Sequence, residues 1–304
     1  MAAKNWSATA AQSGVEELLF HNDSVSLCLL VNRRHRALRV IDFRAGATVA
    51  KRNFVLATAK REGVEKVFTL VERDEVSTWT RLGFTREGSI HAFYKRSDAW
   101  ILGAVVSQVG PVRALEKDDD DDDDEGAERA SPATTLAERT SAKARRRIKA
   151  DAAALPAVKI APARDADVRK AVSAAQRSGR ALTGFELFGR DVTRTPLLIT
   201  TRGGFELFAS WETQSCFGNS FVELLTGPRN EAERLATTAA VRAVCDRLAE
   251  GGVHATFSMS PADDVALATA YLANGFRRSA VLARQVVVKG ERKDAIVWSK
   301  KLAD

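Results

Sequence analysis

The stretch SFVELLTGPRNEAERLATTAAVRAVCDRLAEGGVHATFSMSPADDVALATAYLANGF, residues 220–276, decides the fold. Its opening run, 220–226, reads as a buried strand broken by Gly227-Pro228. Residues 231–250 read as a long helix ended by Gly251-Gly252. A second strand over 253–259 and a second helix over 262–274 follow, with Gly275 at that helix's end. Alternation of strand and helix at this spacing belongs to the α/β class.

Further strands lie on either side of this core. Residues 196–201 and 205–211 flank the turn Arg202-Gly203-Gly204, and 280–288 and 295–299 close as a hairpin. A short strand at 157–160 leads to a helix N-capped by Asp165 and ending before Gly179. Towards the N-terminus, 25–31 and 37–43 form a hairpin, 47–62 a helix, 64–71 a strand, 75–82 a short helix, and 89–94 with 99–102 a last strand pair. Between the halves, 104–154 reads as a disordered linker. Asp118 to Asp124 repel one another, and the basic cluster KARRRIK (143–149) lacks the interleaved aromatics of a nucleic-acid platform.

The halves repeat one another. Glu62-Gly63-Val64 matches Gly251-Gly252-Val253, and Leu82-Gly83-Phe84 matches Asn274-Gly275-Phe276. Lys95-Arg96-Ser97-Asp98-Ala99 resembles Arg292-Lys293-Asp294-Ala295. Anchors in the same order indicate a duplicated module. This order, with Tyr271-Leu-Ala-Asn-Gly275-Phe276 as its most specific run, resembles the GNAT acyl-CoA N-acyltransferase fold. The expected architecture is two GNAT-like modules, each a mixed, mostly antiparallel sheet flanked by helices. Residues 15–103 form a truncated, non-catalytic copy and 155–304 the acyltransferase module.

The resemblance implies acetyl-CoA as cosubstrate, an amine acceptor that is a small molecule or a protein, and no metal. It implies that Tyr271 protonates the leaving thiolate and that Glu223, mid-strand, takes the proton of the amine. It places the CoA pyrophosphate at the turn opening the long helix, on Thr226, Gly227, Arg229, Asn230, Ala232 and Arg234. Such a turn usually carries glycines whose N–H groups cradle phosphate. Here Ala232 and Arg234 fill those positions, and the first half offers Ala47 and Val49 in Arg44-Ala-Gly-Ala47-Thr-Val49. Glu231 and Glu233 suit the helix dipole but oppose a phosphate. Arg229 or Arg234 would then replace the cradle by side-chain contacts. The position matching Tyr271 in the first half is Trp79, which donates no useful proton. A different reading is a GNAT-like protein without catalysis, binding a partner or an acyl-CoA for regulation.

The pentapeptide GFELF occurs twice, at 184–188 and 204–208, and reads as strand at both places, with Glu186 and Glu206 as acidic edges. Composition bounds the rest. The 304 residues are 45% hydrophobic and 28% charged, with net charge +7, an ordinary globular balance that attracts anions. Cys28, Cys216 and Cys245 form no CxxC pair, and the four histidines are scattered, which excludes a disulfide scaffold or a zinc knuckle. No membrane-spanning run or secretory leader is read, so the expected location is the cytoplasm, with neither membrane nor nucleic acid as partner and with the two modules packed together.

Overall fold

A computed structural model describes residues 14–21, 25–42, 48–95, 97–109, 131–150, 154–214 and 217–302. The first half contains β1 (Val15–His21), β2 (Ser26–Asn32), β3 (Ala37–Asp42), α1 (Val49–Arg61), β4 (Lys66–Val71), α2 (Val76–Arg81), β5 (Thr85–Ile90) and β6 (Ala99–Val105). Helix α3 (Pro132–Ala150) follows. The second half contains β7 (Val158–Pro162), α4 (Asp165–Arg177), β8 (Thr193–Thr201), β9 (Glu206–Gln214), β10 (Asn219–Leu224), α5 (Glu231–Glu250), β11 (Ala255–Pro261), α6 (Val265–Ala273), β12 (Arg277–Val288) and β13 (Glu291–Lys301).

The strands of the described residues join one 13-stranded sheet in the order β1-β2-β3-β4-β6-β5-β12-β13-β11-β10-β9-β8-β7. Read inward from each outer edge, the two halves follow the same plan, and the second has one extra strand, β7. Each half has one parallel pair, β3–β4 and β10–β11, among antiparallel neighbours. A helix crosses over between the strands of each parallel pair, as parallel neighbours require.

The halves meet where β5 pairs with β12 at one position, Gly88 opposite Ala280. A Cβ at residue 88 would lie 2.5 Å from the Ala280 Cα, and the backbone there has φ of 135°. Glycine is required on both counts. The seam is sealed by apolar burial: Phe68, Phe93 and Ile101 share a core with Phe221, Phe257 and Leu282.

Local chemistry explains the helix ends. Asn230 caps α5 by accepting from the Glu233 N–H, and Asp264 caps α6 by accepting from the Leu267 N–H. Helix α4 departs from expectation. Arg164, not Asp165, holds its cap position, with no side-chain capping bond.

Two further expectations are corrected. Residues 104–154 are not a disordered linker throughout, since β6 runs to Val105 and α3 is a docked helix. Ala133, Ala137, Thr140, Ser141 and Ala144 are buried at helical spacing, and Ala137 and Ala144 join the core that includes α5 and α6. Small side chains let α3 lie close, so its Arg and Lys residues face outward. Asp118 to Asp124 lie outside the described residues. The first GFELF is not a strand: 184–188 is irregular, and Phe185 has φ of 60°. The second enters β9 at Glu206. Ladder partners, not the pentapeptide, decide between the two conformations.

Candidate active site

Strands β10 and β11 pair in parallel from Asn219 opposite Ala255 to Val222 opposite Ser258. Beyond that point the ladder ends. Glu223 and Leu224 on one strand, and Met259, Ser260 and Pro261 on the other, line a cavity of about 90 Å³. Its far wall comes from the first half and the β12–β13 hairpin, including Arg39, Phe68 and Gln285. The sheet therefore opens between β10 and β11.

Glu223 lies in this opening, with its side chain 12% exposed. Its carboxylate pairs with Arg194, which also bonds Glu212 at 2.7 Å. The Thr183 hydroxyl lies 2.7 Å from Glu223 and 3.1 Å from Glu186. With one proton, it donates to one carboxylate at a time. Burial pushes the Glu223 carboxyl above its usual range, and Arg194 opposes that rise. Arg34 stands 3.6 Å from Glu186. Glu206 lies on β9, lining a different pocket.

Tyr271 lies on the opposite face of the sheet. It is 1% exposed, stacked on Trp298 and edge-on to Phe276. Its hydroxyl is 2.6 Å from Ser258 Oγ, at the last paired position before the strands part. Burial pushes the phenol upward, which keeps it protonated. Trp79 occupies the matching place in the first half, edge-on to Phe84.

The residues of the turn do not act together. Thr226, Gly227, Arg229, Asn230 and Ala232 line a pocket of about 770 Å³, joined by Arg180 and Arg202. Arg234 is 1% exposed and paired with Glu231, so it does not reach that pocket. The Arg229 N–H donates to Glu233 at 2.8 Å, and its guanidinium binds the same carboxylate. A side-chain carboxylate thus holds the main-chain donor that a phosphate would use. A Cβ on Gly227 would lie 3.1 Å from Asp264 Oδ2, so the start of α6 presses on the turn. The corresponding turn of the first half, 43–47, lies outside the described residues.

Sequence reading missed Arg39, Thr183, Arg194 and Gln285. Arg39 carried a signal: it interrupts an otherwise apolar strand, ALRVID. The other three become partners of the site only through folding. Among the described residues, no group of three His, Cys, Asp or Glu side chains is placed to hold a metal. None of the helices they form is long and apolar enough to cross a membrane.

No family model matches the chain, and no curated protein matches it in sequence. Solved structures resemble it over half its length. The ribosomal-protein-S18-alanine N-acetyltransferase from Escherichia coli is 18% identical, with a TM-score of 0.38 over 49% of this chain and 96% of that one. The spermidine N-acetyltransferase from Vibrio cholerae, solved with CoA and spermine, is 9% identical, with a TM-score of 0.39 over 48% and 95%. Both likenesses are partial, each over about half of this chain.

Proposed function

We propose that the chain is an N-acyltransferase of the acetyl-CoA-dependent class, with its site in the second half and a non-catalytic first half. The observation that carries this reading is the parting of β10 and β11, with Glu223 on one face of the opening and the Tyr271 hydroxyl beside its apex. The main-chain turn does not fit a pyrophosphate, because Glu233 already holds the Arg229 N–H. Phosphate contact would fall to the arginines of the larger pocket, Arg180 and Arg202, and to Arg229 where its guanidinium exchanges Glu233 for phosphate.

The chain's own part of the chemistry is proton handling. Glu223 would accept a proton from an acceptor amine, held in place by Arg194 and Thr183. Tyr271 would hold a proton at the apex, oriented by Ser258. The Glu233 contact favours a second reading, a GNAT-fold binding protein without turnover.

Calorimetric titration with acetyl-CoA, together with turnover assays on a panel of amines, separates the two. The acyltransferase reading expects binding that weakens strongly in the Arg180→Glu, Arg229→Glu double variant, and turnover with at least one amine. Unchanged binding in that variant moves the phosphate contacts elsewhere. A wild type that turns over no amine establishes the second reading.

A further inference from the structure

Arg39 lies in β3 between Leu38 and Val40, both essentially inaccessible, and is itself 8% exposed. Its Nη1 donates to the Phe188 carbonyl at 2.5 Å, and its guanidinium carbon lies 4.4 Å from the Phe188 ring centroid. Neighbouring buried carboxylates sit in close ion pairs, Arg194 alone serving both Glu223 and Glu212, while Glu186 pairs with Arg34 and Glu87 with Lys66. Arg39 differs. No carboxylate among the described residues forms an ion pair with it, and its Nε has no hydrogen-bond partner. Burying a guanidinium that no carboxylate contacts is costly. Arg39 lines the cavity at the opening of β10 and β11.

Gln285, on β12, lines the same cavity. It is 6% exposed, and its Oε1 accepts no hydrogen bond. Glu212 acts on Arg39 from a distance without contacting it. The cavity therefore presents one buried guanidinium with an unfilled donor and one unfilled acceptor, between walls that include Leu30, Phe68, Phe221 and Met259. A ligand carboxylate can fill the open Nε donor of Arg39. A phosphate's double charge would face Glu186 and Glu223 in the same small space.

We propose that this cavity, built by both halves, binds a small α-amino or α-hydroxy acid with an apolar side chain. Its carboxylate pairs with Arg39, and its amino or hydroxyl group donates to Gln285. The first half thus supplies the anion contact and the second half the acceptor. Binding needs no acyl transfer, so it is tested without acetyl-CoA.

Thermal-shift and calorimetric titrations of the full chain would use apolar α-amino acids, the matching α-hydroxy acids, and the corresponding amides and carboxylate-free amines. At least one acid is expected to bind, with its amide and amine bound about 10–100-fold more weakly. Amino acids binding above hydroxy acids would identify an ammonium donor, and the reverse order a hydroxyl. Arg39→Met should remove acid binding by a similar factor, and Gln285→Leu should weaken it less. If Arg39→Met does not fold, Arg39→Lys keeps the charge and loses the forked contact, and is expected to bind more weakly. Amides or amines binding as well as acids, binding indifferent to Arg39, or no acid bound would overturn the proposal. Failure of acetyl-CoA turnover would leave it standing.

Discussion

Tyr271 and Trp79 occupy the same place in the two halves; the phenol carries a hydroxyl with a partner, Ser258, whereas the indole N–H has none among the described residues. Ser258, the partner of Tyr271, is fully buried, so removing the hydroxyl leaves a buried serine with one contact fewer. Tyr271→Phe keeps the stacking on Trp298 and should cost about 1 kcal/mol of stability, read by urea unfolding. If the second half is catalytic, the same change should lower turnover about 10²–10⁴-fold with acetyl-CoA binding unchanged. Full turnover in the variant would assign the proton to another group. His35 makes a second case. Burial lowers its pKa to about 4, and it accepts from the Val287 N–H. The unfolded chain then binds a proton from about pH 6.5 downward that the folded chain refuses until about pH 4. Stability should therefore fall as pH drops through that window. His35→Asn should flatten the slope in chemical denaturation series, and an unchanged slope would place the linkage elsewhere.

At the scale of elements, α3 and α5 show opposite degrees of self-sufficiency. Helix α5 carries its own start signals, Asn230 as cap with Glu231 and Glu233 in its first turn. Asn230→Ala should cost about 1 kcal/mol, measured by denaturant midpoint. Helix α3 is polar and basic over most of its surface and is held by its small buried stripe. Ala144 is fully buried there, while Arg147 pairs with Glu231 on α5. Ala144→Glu would place a carboxylate against that core and should release α3 without unfolding the sheet. Limited proteolysis is then expected to cut within 131–150 in the variant and to spare the wild type. Equal protection in both would show that α3 adjusts to the charge.

For the whole molecule, the defining feature is a sheet continued across two halves by a single paired position. Gly88 permits the approach of β5 to Ala280, and the shared aromatic core and ion pairs such as Lys66–Glu87 surround it. The Glu87 carboxylate also accepts from the Ala283 N–H of β12 at 3.0 Å, which ties that pair to the second half. Gly88→Val meets both a steric clash and a disfavoured φ. It should destabilise the chain by about 2–4 kcal/mol. Calorimetry is expected to resolve two transitions in the variant where the wild type shows one. A single, unshifted transition would show that the seam tolerates a side chain.

Residue order alone determined most strands and helices of the second half, because caps, glycine stops and apolar periodicity act over a few residues. The bounds of α5 at 231 and 250 and the glycine after α6 were legible for that reason. The duplicated anchors likewise announced two similar halves. Tertiary structure decided what depends on distant partners. The two copies of GFELF diverged because one met a ladder partner and the other did not. At 143–149 the residues allowed a short exposed helix or a solvated run, and the length and docking of α3 were not legible because its contacts are with α6 and β12. Glu223 acquired Arg194 and Thr183, and Arg39 acquired a cavity onto which one of its donors opens unfilled, only when strands far apart in the chain became neighbours. Local rules write the elements, but the pairing and burial of charge follow from the sheet that brings those elements together.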